Sequence, residues 1–398
     1  MNNIVNYVDR DRIENGEYIV VKYYLKSSVS LLDAANKIAI GQSIGNPDVR
    51  NSNEYLNIID NHLCVVLNDI DRSACSGVVE IGFPVVNFNF REDGISHLLC
   101  QIAGGQFDFD SIEKCAILDI VFPDTIFNKY KLAPTFGISG IREYTNVYNK
   151  PLLGGIIKPK IGMNIKELSN VVLQMADNGI NFIKEDEILS NQPFCPFVDR
   201  VAVIPELLYK RNYNIIYAFS ITSDYPFVFN RVRSVAQCGG NAVHVNIWSG
   251  LGVYKSIREM NLPLFLFFQK SGDKIFTNKL HNFYIDWSVV CKLGALSGID
   301  FIHAGMYNGY LSEDLNYLNN VLSILRSADV MPSMSCGMHP GIVNGVTDAI
   351  GCDYLANCGG SIHGHPGGTV GGTIAMRQAI DREYGDEYNK AVELWGKK

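Results

Sequence analysis

Residues 152–160 read Leu-Leu-Gly-Gly-Ile-Ile-Lys-Pro-Lys, an apolar run that stops abruptly at two lysines around a proline. Seven more short apolar runs follow, at 181–183, 215–220, 242–247, 263–268, 300–303, 330–335 and 354–358. The intervals carry amphipathic stretches. At 165–175, 287–296 and 315–325 the apolar residues recur at helical spacing. Eight strand candidates, each trailed by a helix candidate, over about 230 residues is the arithmetic of a (β/α)8 TIM barrel. The main competitor is a doubly wound open sheet. No G-x-G-x-x-G follows an early strand, which argues against it.

Upstream the pattern is different. The stretch 18–25 is rich in β-formers, and 63–67 and 78–86 read as further strands. A helix is expected at 31–40, with Ser28 or Ser30 as its cap, and another at 94–103. Strands and helices mingle here, so the expected architecture is α/β overall. A small α+β (ferredoxin-like) N-terminal domain at 1–138 precedes a catalytic barrel at 139–398.

The 398 residues are 47% hydrophobic and 19% charged, a globular composition with ample core material. The net charge of −7 and the lack of a strongly basic stretch argue against nucleic acid or an anionic membrane as main partner. The longest apolar runs fall far short of the roughly 18–20 residues that span a bilayer. The N-terminus has no apolar segment of the secretory kind, so the expected location is cytoplasmic. The ten cysteines are scattered singly, without a C-x-x-C pair, and read mostly as buried free thiols.

In a barrel, functional residues gather where strands end at the C-terminal face. The first run ends in Lys158-Pro159-Lys160. These are either solvated loop lysines or groups for anion binding and acid/base work. The second ends in Lys184-Glu185-Asp186-Glu187. This is either an ordinary charged loop or a carboxylate cluster suited to a hard cation such as Mg2+. Alternation places Lys184 and Asp186 on one face. A carbamate formed on Lys184 by CO2 would add a third oxygen ligand. The sixth run ends in His303, equally readable as an acid/base and as a structural histidine. Glycines follow the seventh run (Ser335-Cys336-Gly337) and the eighth (Gly359-Gly360), where backbone N–H groups can approach an anion.

Taken together, these stretches resemble the large subunit of ribulose-bisphosphate carboxylase/oxygenase and its relatives, the RuBisCO-like proteins. The resemblance covers most of the chain. It is most specific in Leu153 to Gly162, Gly179 to Glu187, Leu296 to Gly305 and Ser335 to His339. It implies an N-terminal α+β domain before the barrel. It also implies a homodimer or larger homo-oligomer in which one subunit covers the partner's barrel mouth. By resemblance, Lys184 is the carbamylated lysine, and Asp186 and Glu187 are the Mg2+ carboxylates. Lys158 is the acid/base lysine of enolisation, with Lys160 beside it near the metal site. Gly337, Gly359 and Gly360 are backbone donors to a substrate phosphate. His303 and Ser335 serve the other end of the substrate.

The departures are as telling. The carboxylases carry a mobile lysine after the sixth strand, where this chain has Tyr310 in Asn308-Gly309-Tyr310-Leu311. A phenol supplies no positive charge at neutral pH. The histidine and arginine after the fifth strand are replaced in Phe268-Gln269-Lys270-Ser271, where Lys270 remains a candidate substrate- or phosphate-binding residue. The family's N-terminal asparagine and glutamate are missing from Gly104-Gly105-Gln106-Phe107 and from 41–47.

The expected activity is therefore Mg2+-dependent enolisation of a phosphorylated sugar or keto compound without CO2 fixation, as an enolase, isomerase or decarboxylase. The 2,3-diketo-5-methylthiopentyl-1-phosphate enolase of methionine salvage is one alternative. A non-catalytic sensor or assembly protein and a true carboxylase are the others.

Overall fold

The computed structural model describes residues 10–397 apart from 47, 50, 51, 54 and 55. The first nine residues of the N-terminal stretch read for a leader, and Pro47 of the 41–47 motif, lie outside the described residues. Two compact units are present. One comprises residues 1–131 and 272–296, and the other 132–271 and 297–398.

The first unit is built on strands β1 (Tyr18–Ser27), β2 (Val65–Val66), β3 (Ser76–Pro84) and β4 (Ile112–Val121). The helix Leu31–Gly41 starts at Ser30, whose hydroxyl accepts from the Asp33 N–H and caps its first turn. The sequence reading assigned no element to β4, which is nonetheless a central strand, paired antiparallel to β1. Register shifts at Lys22/Tyr23 and Lys26/Ser27 break the period-two alternation by which a strand is recognised.

The second unit is a closed parallel barrel. Its strands are β5 (Leu152–Ile156), β6 (Phe182–Lys184), β7 (Ile216–Ser220), β8 (Ala242–Asn246) and β9 (Phe265–Gln269). After β10 (Phe283–Ile285), the last three follow as β11 (Phe301–Gly305), β12 (Met331–Met334) and β13 (Leu355–Cys358). All eight apolar runs are barrel strands, with ends moved by one or two residues. Strand β10 belongs to neither pattern. It lies between two barrel strands in sequence but pairs with β4 in the first unit's sheet.

Inside the barrel, Phe182, Phe265, Phe267 and Phe301 pack with Leu152, Met331 and Leu355. Gly154 is required there, because a Cβ would come within 2.8 Å of Leu355 Cδ1. Phe136 stacks on Phe265 with centroids 3.9 Å apart, and Ile141 and Val147 from the following segment join the same core. Buried Asp300 secures this segment. It accepts from the Phe136 and Gly137 N–H groups and pairs with Arg258 at 2.7 Å.

The cysteines bear out the expectation of free thiols but only partly that of burial. All ten are free, but Cys75, Cys100 and Cys238 are exposed.

Candidate active site

One position beyond the apolar core, counting inward-facing residues, the lining changes character. Two residues after Phe182, Ala218, Ala242, Phe267, Phe301, Met331 and Leu355 stand Lys184, Ser220, His244, Gln269, His303, Ser333 and Asn357. All seven are buried. Period two puts each of them inside the barrel, toward the strands' C-terminal ends. A dry apolar floor therefore carries a polar layer beneath the mouth.

The Lys184 amine is fully buried. It donates to the Glu185 carbonyl at 2.9 Å and lies 3.2 Å from Glu187 Oε2. Burial lowers its pKa, an effect only partly offset by the Glu187 and Asp186 carboxylates. β6 ends at Lys184, so Asp186 and Glu187 lie in the loop beyond it, where strand alternation no longer applies. Lys158 Nζ lies 2.5 Å from Asp186 Oδ2. Gln269 Nε2 donates to Glu187 Oε2 at 2.6 Å. Lys158 turns to Asp186, while Lys160 is exposed in the bends beyond β5.

Among the described residues no three of His, Cys, Asp and Glu converge to hold a metal ion. Asp186 and Glu187 offer two carboxylates, and the buried Lys184 amine beside them is the group that a carbamate would turn into a third oxygen donor. That donor set fits Mg2+.

His303 Nδ1 and Ser335 Oγ are 3.1 Å apart, and the His303 ring meets Phe267 edge-on. Burial, with the Lys184 and Lys270 charges adding to it, pushes the His303 pKa down to about 3. His363 bonds the Ile156 carbonyl through Nε2, and burial brings its pKa down to about 4. Both imidazoles are neutral at pH 7. On unfolding they return to about 6.5, so between pH ~6.5 and ~4 the unfolded chain binds more protons. Stability is present at neutral pH and falls as the pH drops, by about 1.4 kcal/mol per pH unit for each histidine. Urea titrations from pH 7 to 4.5 check this. A midpoint that does not move contradicts it.

A cavity of about 510 Å3 joins Lys158 and Ser335 to Gly337, Gly359 and Gly360, with Asn357 and Trp395 in its wall. Gly337 has φ +109°, and a Cβ there would lie 2.8 Å from Tyr310 N. The close approach of the Tyr310 loop thus demands glycine. A Cβ on Gly359 would be 3.1 Å from Lys158 Cε, so the lysine stem lies against this turn. A Cβ on Gly360 meets nothing within 4 Å. Ser361 and His363 leave that space open, since Ser361 Oγ donates to Met338 O and His363 to Ile156 O. Gly360→Val is expected to fill it and weaken binding of phosphorylated ligands by about 2–4 kcal/mol, with Mg2+ binding unchanged. Calorimetry with both ligands tests this.

The sequence reading missed four residues. Gln269 was noted only for what it replaces, and His244 and Asn357 sit in runs read as plain strands. Counting two residues on from each apolar core position finds all three. Glu185 was read within a charged loop, but it is buried in an ion pair with Arg200 at 2.8 Å. The distant Arg200 gives no local signal.

Residues 6–126 match the ribulose bisphosphate carboxylase large chain, N-terminal domain, and residues 137–329 and 322–393 match its catalytic domain. The chain is 28% identical to ribulose bisphosphate carboxylase of Pyrococcus furiosus, over 98% of this chain and 97% of the relative. It is 30% identical to 2,3-diketo-5-methylthiopentyl-1-phosphate enolase of Bacillus pumilus, over 80% and 82%. Octameric ribulose-1,5-bisphosphate carboxylase/oxygenase from Pyrococcus horikoshii, solved with sulfate ion, superposes with a TM-score of 0.86 at 25% identity, over 96% of this chain and 94% of that one. No helix among the described residues is long and apolar enough to cross a membrane.

Proposed function

We propose, on the premise that the chain belongs to the ribulose bisphosphate carboxylase large-chain family, that it enolises a phosphorylated sugar or keto compound in a Mg2+-dependent reaction without fixing CO2. One observation carries this reading. Lys158 touches Asp186 at 2.5 Å while its stem lies against the Gly359 turn. A phosphate held by the Gly337, Gly359 and Gly360 amides therefore leaves a short carbon chain beside the Lys158 amine.

Lys158 moves the proton on the carbon next to the substrate carbonyl. Asp186, Glu187 and a carbamate on Lys184 would hold Mg2+, which when bound would supply positive charge toward the developing oxyanion. His303, kept neutral by burial and bonded to Ser335, orients the far end of the substrate, and Lys270 adds positive charge there. Gln269 fixes the Glu187 carboxylate.

One feature favours an outcome other than carboxylation. The loop after β11 holds Tyr310, three-quarters exposed, where the carboxylases have a lysine. The methionine-salvage enolase reading is supported by the Bacillus pumilus relative. Against it, the position where the enolase relatives are expected to offer a lysine holds Gly105 and Gln106, and Gln106 is fully buried against the Ile102 carbonyl. The protein works as a homodimer or larger assembly, for which light scattering of the active species is the test.

The decisive measurement is solvent deuterium uptake by NMR, with phosphorylated ketoses and 2,3-diketoalkyl phosphates as probes. Uptake is expected with Mg2+ and not with EDTA. Ribulose bisphosphate with labelled bicarbonate is expected to give no acid-stable label. Absence of uptake from every probe, or clear label incorporation, overturns the reading.

A further inference from the structure

Asn357 is the inward residue of β13 above Leu355, and it is 2% exposed. Neither its Oδ1 nor its Nδ2 has a hydrogen-bond partner among the described residues. The side chain reaches across the bare Gly154, where a Cβ would stand 3.0 Å from Asn357 Oδ1. It lines the cavity that also contains Lys158, Ser335 and the Gly359–Gly360 turn. Ser333 Oγ and both His244 nitrogens are likewise without partners, but they do not line that cavity.

Buried carboxamides are ordinarily satisfied, because an unmet donor or acceptor away from water carries its full desolvation cost. Asn357 retains both unmet edges in the wall of that cavity. An amide offers two donors and one acceptor, whereas a ketone only accepts and a hydroxyl does both. A hydroxyl-free chain would leave Oδ1 unpaired. We infer that Asn357 is a specificity-determining residue that reads a hydroxyl on the carbon chain of the substrate, so the substrate is a hydroxylated, sugar-like keto phosphate rather than a deoxygenated one. This rests on the phosphorylated-substrate reading above and narrows it.

The test uses the full-length protein with Mg2+ and bicarbonate, as wild type and as Asn357→Leu, a variant with the same branched heavy-atom skeleton. Calorimetry compares ribulose 1-phosphate, 2-oxopentyl phosphate and inorganic phosphate. Wild type is expected to bind the sugar about tenfold or more tighter than the deoxygenated ketone, since a site built around a polar pair rejects an analogue that leaves it unpaired. In Asn357→Leu the two ketones are expected to bind within about twofold of each other, with inorganic phosphate unchanged. The melting temperature is expected to hold or rise, because two orphaned buried polar atoms are removed. A fall in melting temperature would assign Asn357 a structural role and overturn the inference. So would equal affinity of wild type for both ketones, or a preference that survives in the variant. If wild type binds no inorganic phosphate, the proposed function itself fails, and this inference with it. Phosphate binding without ketone discrimination sinks the inference alone.

Discussion

Lys184→Met is expected to reduce Mg2+-dependent deuterium exchange by about 10^3-fold or more, with the fold retained. The argument starts from burial. An amine with no exposed surface, below its usual pKa, is nucleophilic toward CO2 in a way that a solvated lysine is not. Methionine keeps the unbranched stem, so the packing around Phe182 and Ile183 survives. What is lost is the nitrogen that would carry the third oxygen donor, which would leave Asp186 and Glu187 as two like charges with weakened affinity for the cation. Denaturation should show the variant as stable as wild type or more so, since a desolvated amine has been removed. Exchange within tenfold of wild type would exclude Lys184 from the metal site, and magnesium titration calorimetry would show the same.

Arg200→Met is the largest effect expected on stability, a loss of about 3–5 kcal/mol. Arg200 and Glu185 are both fully buried, and Arg200 Nε donates to Glu185 Oε1 at 2.8 Å. Glu185 also accepts from the Ser220 N–H and the Tyr217 hydroxyl. Arg200 further donates to the Cys195 carbonyl at 2.7 Å and the Ser190 carbonyl at 2.6 Å. Removing the guanidinium strands a carboxylate in the interior and frees the loop that carries Asp186 and Glu187. Urea unfolding measures the first consequence, and a lower affinity for Mg2+ the second. The double variant Glu185→Gln, Arg200→Met is expected to recover part of the loss, because no buried charge is left unpaired. A single variant as stable as wild type would show that the pair is not a structural anchor.

These two sites also separate what local pattern conveys from what it does not. The eight barrel strands were legible because burial on both faces writes itself as short apolar runs, a property of a few consecutive residues. The helices at Trp287–Leu296 and Leu315–Ser327 were legible from apolar residues at helical spacing, while of the two cap candidates, Ser28 and Ser30, the structure selects Ser30. Strand β4 was not, since its bulged pairing with β1 erases the alternation.

The charged tetrad Lys184-Glu185-Asp186-Glu187 reads by itself as a charged loop or a cation site, and four neighbouring residues cannot declare which of them faces which partner. Glu185 became structural through Arg200, fifteen residues on. Glu187 is held by Gln269 from another strand, and Asp186 meets Lys158 rather than Lys160. The order of the strands, and hence the barrel, followed from the sequence alone. The partner of each charge, and the unmet amide of Asn357, were decided only by tertiary structure. Closing the barrel brings distant strand ends into one low-dielectric space, where burial and pairing, rather than residue type, set what each group does.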